Sequence, residues 1–522
     1  MSRSGGLFEP RPRALVIRDL LERSRDRLDD ASDAEVLELL EDAVYHERKR
    51  LERAKPGEGE IERLDRAAKA IVRGSRTDRT RVAVDMVASW ADEIHGRFDP
   101  RVYRFATRLL PKALTALLSR PTQGLRRWDL SPESKIRVEG DLPWIRELSK
   151  ESTLILAPTH VSNMDSPIIG YALYAAGLPP FVYGAGFNLF SNPIVGWWMN
   201  RLGAYTVDRT KRATLYKEVL KDYSVRSLVT GHHSLFFPGG TRARSGAVET
   251  KLKKGLLGTG LAAWQEMLAA NRPDPDVYVV PCTLTYQLSL EASTLIEDFL
   301  AESGKQRYII TDDEFAQPRR VAEFARRVLD LDSAVVVRFG APLDTLGNPV
   351  ARTAAERAEQ SRDRRRYVCD RAGKVEADPQ RDHVYTERLA DALVHAYPRD
   401  AYPMSTHLAA LAAWRTLGTM VGSTDPFRIV RMPGDGRRIP RDRFMAGLSA
   451  LVDEAKIGHA NGRWQLDLPG SAQAVLDVAL DRFGRFHRTR ALASSGPDIV
   501  VEDPKLLYYY RNRVAYMEAG VR

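Results

Sequence analysis

Cysteine is almost missing from this 522-residue chain: there are two, Cys282 and Cys369, far apart and outside any C-x-x-C spacing. A disulfide framework and a thiolate zinc site are thereby excluded, and a reducing compartment such as the cytoplasm is the natural setting. Long apolar runs are absent too. Nowhere do about 18 apolar residues follow one another, so no simple transmembrane helix is expected. The opening "MSRSGGLFEPRPRALVIRDLLERSRDRLDD" has no apolar segment of the kind a secretory signal needs. If the protein meets a membrane, it is expected to lie on the surface. No repeat of fixed period is present, which excludes solenoids and propellers. Histidine is scarce, with ten residues.

What is abundant is charge. Lysine and arginine number 79 against 69 acids, a net charge of +10 with a pI near 9.4. That balance favours acidic partners: nucleic acid, anionic lipid or phosphorylated small molecules. With 43% hydrophobic residues the chain is globular, and its length fits two or three domains.

From about 14 to 98, apolar residues recur at three- and four-residue spacing, as in "DAEVLELLEDAVYHERKRLERA", predicting helices. Residues 101–127 hold seven Arg or Lys and no acid. Drawn as a helix, they set Arg101, Arg104, Arg108 and Lys112 opposite Leu109, Leu110, Leu114 and Leu117. Such a helix suits a lipid interface and equally suits packing on a domain. From 150 to 345 short β-rich runs alternate with helical ones: "TLILAP", "FVYGAG", "GAYTVD", "HSLFFPGG", "VYVVPCTLTY" and "AVVVRFGAPLD". This alternation predicts an α/β domain with a largely buried sheet. Residues 346–383 are very polar, a charged helix and hairpin or an exposed insertion. Beyond 384 the chain reads as helical, with "RIPRDRFMAGLSALVDEAKIGHANGRWQLDL" predicting a helix followed by a hairpin.

The chemistry-bearing residues fall in the α/β part. "TLILAP" reads as a buried strand and "SPIIGYALYAAG" as the next helix, so Thr159 to Asp165 make the turn at the sheet's carboxyl edge, where α/β folds place their sites. His160 and Asp165 lie in that turn. A carboxylate that holds Nδ1–H fixes the tautomer and leaves Nε2 to take a proton from a hydroxyl. Taken alone, the same pair reads as well as a capping arrangement. The spacing does not suit a metal, and none is expected. "SLFFPGGTRARSG" ends a strand in two glycines followed by Arg242 and Arg244, which can make forked contacts to phosphate, or form a basic surface turn. "LGAYTVDRT" ends at Asp208 and Arg209, another candidate phosphate contact. "VVPCTLTYQ" is an apolar strand with Pro281, a candidate pocket wall. "NLFSNPIVGWWMNRLGAY" offers Phe190, Ile194, Trp197, Trp198 and Met199 as an acyl-chain wall, an interfacial anchor or a core helix. Lys251, Lys253 and Lys254 read as a solvated cluster or as contacts for phosphate.

These blocks, in this order, resemble the glycerolipid acyltransferase family, above all the bacterial glycerol-3-phosphate acyltransferases. "HVSNMD" is similar to the first block, His-x4-Asp; "GAYTVDR" to the second; "FFPGGTRARSG" to the third; "VVPCTLTY" to the fourth. Weaker similarity continues at "VVVRFGAPLD" and at "DPKLLYYYRNRVAY". The resemblance implies a base, His160 oriented by Asp165, that deprotonates the sn-1 hydroxyl of glycerol 3-phosphate for attack on the thioester of acyl-CoA or acyl carrier protein. It implies no acyl-enzyme and no cofactor, and assigns the phosphate to Arg209, Gly240, Arg242 and Arg244. One departure stands out: many members carry glutamate where this chain has Gly239.

The expected fold class is α/β, a central mixed sheet with flanking helices as in glycerolipid acyltransferases, plus helical terminal regions. The expected division is a helical, membrane-facing region at 1–130, the acyltransferase domain at 131–345, a polar insertion or linker at 346–383 and a helical region at 384–522. The expected function is the first acylation of phospholipid synthesis, carried out peripherally on the cytoplasmic face of the cell membrane against anionic lipid. The alternatives are an acyltransferase for lysophosphatidate, dihydroxyacetone phosphate or another alcohol, and a non-catalytic lipid- or nucleic-acid-binding protein with a winged-helix-like C-terminus. Nucleic acid is not expected, because the positive charge is spread through the chain.

Overall fold

The computed structural model describes residues 13–52, 58–107, 136–190, 193–273, 275–303, 335–376, 378–487 and 489–519. Of the acid-free stretch 101–127, only the helical residues up to 107 are among them; Arg108, Lys112 and the leucines lie outside the described residues.

The centre is a mixed sheet of eight strands: β1 (Ile136–Gly140), β2 (Thr153–Pro158), β3 (Val182–Gly186), β4 (Ala204–Val207), β5 (Ser234–Leu235), β6 (Val277–Tyr286), β7 (Val335–Phe339) and β8 (Leu343–Asp344). Their order is β1-β7-β6-β2-β5-β3-β4, with β8 on β6. Strands β6, β2, β5, β3 and β4 run parallel, while β7 and β8 are antiparallel to β6. Side chains of a strand alternate between faces, and here both faces are covered. Leu154 and Leu156 of β2, with Tyr278, Val280, Cys282 and Leu284 of β6, pack on the helices Leu142–Glu151 and Asp165–Ala175. Ile155 and Ala157, with Val277 and Val279, pack on Thr214–Val229, Lys254–Ala269 and Pro379–Asp400. Burial on both faces is why "TLILAP" and "VYVVPCTLTY" are uninterrupted apolar runs.

Two expectations are corrected. "HSLFFPGG" yields only the two residues of β5: Phe236 N–H still reaches the Leu156 carbonyl, but Phe237 turns onto His160 and Pro238 has no N–H to extend the ladder. The hairpin expected after the helix Arg441–Ala460 is absent. Buried Trp464 instead folds back, donating its indole N–H to the Ala455 carbonyl at 2.8 Å. The hairpin is β10 (Ala493–Ser495) with β11 (Asp498–Val500), turned by Gly496 at φ +58° and Pro497, and β11 also pairs with β9 (Arg438–Pro440).

Four helices, Arg13–Asp30, Asp33–Leu51, Glu58–Arg73 and Arg76–Ile94, cover the β4 end of the sheet. Ser32/Glu35 and Ser75/Asp78 form capping boxes on the second and fourth. Their core (Leu20, Leu40, Val87, Trp90) runs into Tyr205 of β4 and Tyr216. At 346–383 the helix Ala354–Arg365 is anchored by Arg364, which sits over the Trp264 ring and pairs with Asp276. The expected boundary at 383/384 falls inside Pro379–Asp400, whose Leu389, Leu393 and Tyr397 belong to the sheet's own core. The C-terminal helices share a separate core around Leu408, Phe444, Leu451 and Phe483, which reaches Leu288, Leu295 and Ile296 of the segment after β6. There, helix Ser405–Val421, β9, helices Arg441–Ala460 and Ala472–Phe486, and the β10–β11 hairpin follow one another in winged-helix order.

The helix Pro504–Asn512 brings the chain's last part back to the sheet edge. Asn512 Nδ2 donates to the Ser245 carbonyl at 2.8 Å, and the buried Arg513 donates to the carbonyls of Gly246 and Leu284, both at 3.2 Å. Gly246 sits at φ +84°, and a Cβ there would run into the Tyr509 carbonyl oxygen. Gly246→Ala is therefore expected to cost about 2–4 kcal/mol in urea unfolding, from left-handed strain plus overpacking.

Candidate functional site

Five parallel strands end at one edge, so the segments after β2, β3, β4, β5 and β6 all emerge there. That edge collects nearly every residue singled out in the sequence, and it is where ligands bind in open parallel sheets.

The segment 159–164 after β2 is tied down from three sides. Thr159 N–H donates to the Cys282 carbonyl at 2.9 Å, and its hydroxyl accepts from Leu284 N–H at 3.0 Å. Asp165 opens the helix Asp165–Ala175, where the dipole favours negative charge, and is fully buried. Its Oδ2 accepts from Val161 N–H at 2.6 Å, Ser162 N–H at 2.9 Å and His160 Nδ1 at 2.8 Å. Oδ1 accepts from the Tyr286 hydroxyl at 2.5 Å. Every neighbour of the carboxylate is a donor, so Nδ1 carries the imidazole proton and the lone pair lies on Nε2. Phe237 stacks on the ring at 4.1 Å, and the histidine side chain keeps 16% exposure.

The loop after β5 is bound to that turn. Ala243 N–H donates to the His160 carbonyl at 2.8 Å, and Gly240, at φ +77°, closes a turn through its N–H to the Phe237 carbonyl. Arg242 reaches Glu291 at 3.4 Å. Glu291 is buried and also accepts from the Ser162 hydroxyl and Asn163 N–H, both at 2.8 Å. Burial raises its pKa, opposed by the Asn163 N–H and by Arg242. Glu249 accepts His160 N–H at 2.6 Å. Burial pushes its carboxyl up to about 7, against the His160 N–H, its own N–H and Arg513, and with Asp165 adding to the rise.

His160, Asp165, Gly240 and Arg242 thus meet. Gly240 is used differently from the expectation: a Cβ there would lie 3.0 Å from Lys253 Cγ, so the glycine makes room for the lysine stem as well as for the turn. Arg244 points to Glu302 at 3.0 Å on the surface. Arg209 is exposed past β4, at the same edge but beyond β5 and β3 from the histidine. Phe190 ends a short helix after β3 and is half-buried. Trp197 is exposed, meets Trp198 edge-on at 5.2 Å and carries Arg201 over its ring at 4.2 Å, while Phe105 stacks on Trp198. Sequence reasoning passed over Tyr286, Glu291, Glu249 and Arg513. A signal existed for one of them: Glu249 is the only acid from 241 to 254.

Residues 135–285 match the family model described as Acyltransferase. In sequence the chain is similar to bacterial glycerol-3-phosphate acyltransferases. The protein of that name from Xylella fastidiosa (strain M23) is 30% identical over 216 residues, 40% of this chain and 23% of that protein. Those from Xanthomonas campestris pv. campestris and Haemophilus ducreyi are 28% and 29% identical, over 41% and 37% of this chain and 22% of each relative. The matched part therefore spans under a quarter of those relatives' length. The crystal structure of the 1-acyl-sn-glycerophosphate acyltransferase from Thermotoga maritima aligns at 16% identity over 56% of this chain and 80% of that one, with a TM-score of 0.26, too low to carry an argument.

The raised pKa of Glu249 has a stability consequence. Between its ordinary value and about 7, the folded chain holds a proton that the unfolded chain has lost. Its contribution is present in full below the ordinary value and is lost as pH rises through about 7. Glu249→Gln cannot ionise, so its Tm relative to the parent is expected to improve steadily from about pH 5 to pH 8.

Proposed function

We propose that the chain transfers a fatty acyl group from acyl-CoA or acyl carrier protein to the sn-1 hydroxyl of glycerol 3-phosphate. The observation that carries this reading is the His160–Asp165 pair, with Nδ1 engaged by a carboxylate and Nε2 left as acceptor beside an arginine loop. Nε2 takes the hydroxyl proton as the oxygen attacks the thioester carbonyl. The tetrahedral intermediate collapses, the C–S bond breaks, and the proton passes to the departing thiolate. No covalent acyl-enzyme is needed. Arg242, held at the turn by Glu291, is the nearest candidate for the acceptor's phosphate, and Arg244 and Arg209 lie further out along the edge.

A peripheral membrane position on the cytoplasmic face is part of the proposal. The exposed aromatics Phe105, Phe187 and Trp197, with Arg101 and Arg104 exposed on the 100–107 helix, support it. No described helix is long and apolar enough to cross a membrane. As for the nucleic-acid alternative, the helix Ala472–Phe486, in the recognition position of the winged-helix order, exposes Asp477 and Asp481, charges unsuited to a phosphate backbone.

The test is free-thiol release from palmitoyl-CoA or palmitoyl carrier protein with glycerol 3-phosphate, dihydroxyacetone phosphate or lysophosphatidate. His160→Ala is expected to lower turnover by about 10²–10⁴-fold while the chain still folds, with Tm lowered because Asp165 loses one of its four donors. Arg242→Ala is expected to raise KM for glycerol 3-phosphate by about 10-fold or more, with kcat far less affected. Turnover with lysophosphatidate alone would reassign the acceptor, and near-parental turnover by His160→Ala would remove the base.

A further inference from the structure

Glu249 is a half-buried carboxyl group with no place in the steps above. It lies ten residues beyond Gly239, at the far end of the same loop, and its Oε1 takes His160 N–H at 2.6 Å. A Cβ built on Gly239 would lie 3.0 Å from Glu249 Cγ and 3.3 Å from Oε1. The Glu249 side chain therefore fills the space that a side chain at 239 would enter. The backbone does not demand glycine there: Gly240 has φ +77°, but Gly239 is outside the left-handed region. The constraint at 239 is the volume already taken by Glu249.

Two points of the loop, Ala243 and Glu249, grip one peptide segment. Glu249 holds the N–H of His160 while Ala243 donates to its carbonyl, and Asp165 holds the ring. We propose that Glu249 is a positioning residue for His160, supplying from downstream the carboxylate that the third block lacks at Gly239. This rests on the assignment of His160 as base. Because Glu249 binds the main chain, its role is to hold the imidazole at its working angle; it touches neither acceptor nor thioester. Arg513 and Asp165 are the charged groups that bear on it, one from the C-terminal helix and one from the helix after β2.

The test uses the full chain with Glu249→Ala, Glu249→Gln, Gly239→Glu and the double variant Gly239→Glu/Glu249→Ala. Thiol release gives kcat and KM. The rate of His160 carbethoxylation by diethyl pyrocarbonate, followed by peptide mass spectrometry, reports the imidazole independently of turnover. Glu249→Ala is expected to lower kcat about 10–100-fold with little change in KM for glycerol 3-phosphate, the signature of a displaced base. Glu249→Gln keeps an acceptor oxygen and is expected within about 5-fold of the parent. The double variant is expected to recover most of the loss and to exceed Gly239→Glu alone, in which two side chains compete for one space. His160 modification rates are expected to follow the same ranking. A double variant no better than Glu249→Ala in both measurements would overturn the proposal, as would an unchanged His160 rate in Glu249→Ala. If the parent shows no turnover with any donor and acceptor, the acyltransfer reading fails on its own, and the modification rates still decide the role of Glu249. Should Glu249→Ala not fold, Glu249→Gln and the double variant carry the comparison.

Discussion

A carboxylate shut away from water is tolerable only when its lone pairs are filled, and the centre of this protein is organised around meeting that condition for Asp165. Two main-chain N–H groups of its own turn, one imidazole and one phenol converge on it. The backbone donors fix the shape of residues 160–165, the phenol ties that shape to the end of β6, and the histidine is oriented as a result. A buried anion here sets local geometry more than it adds stability. Burial and Asp165 together raise the Tyr286 pKa, which keeps that hydroxyl a donor.

Everything beyond the turn extends this logic outward. Glu291 accepts the Ser162 hydroxyl and the Asn163 main-chain N–H and holds an arginine from the loop after β5; that loop in turn reaches back to both ends of the His160 peptide. Strand direction makes this economical, since five parallel strands present their following segments at one edge. The antiparallel β7 and β8 run the other way along β6.

Local patterns in the sequence were enough for part of this. Strands β2 and β6 coincide with the apolar runs that suggest them because both faces of each are buried. The meeting of His160 with Asp165 was legible because only four residues separate them across a strand-to-helix turn. Tyr286, Glu291 and Glu249 were not legible, because they reach the turn from 121, 128 and 89 residues away. No local period announces such a contact. β5 was overestimated for a related reason: "HSLFFPGG" has strand composition, but tertiary demands on Phe237 and the missing N–H of Pro238 end the ladder early. The displaced C-terminal hairpin shows the reverse, a Gly-Pro turn signal at 496–497 outweighed by a Trp-containing stretch that belongs to the core.

Asn512 and Arg513 hold the carbonyls of Ser245 and Gly246, joining positions more than 260 residues apart. During synthesis the arginine loop leaves the ribosome long before those two residues are made. The sheet, the histidine turn and the loop's own bonds can form early, but the clamp on the loop comes only with Asn512 and Arg513. A chain in which Asn512 and Arg513 have not yet been made therefore carries the histidine turn with an arginine loop that is not yet fastened, so the order of synthesis separates the forming of this edge from its fastening.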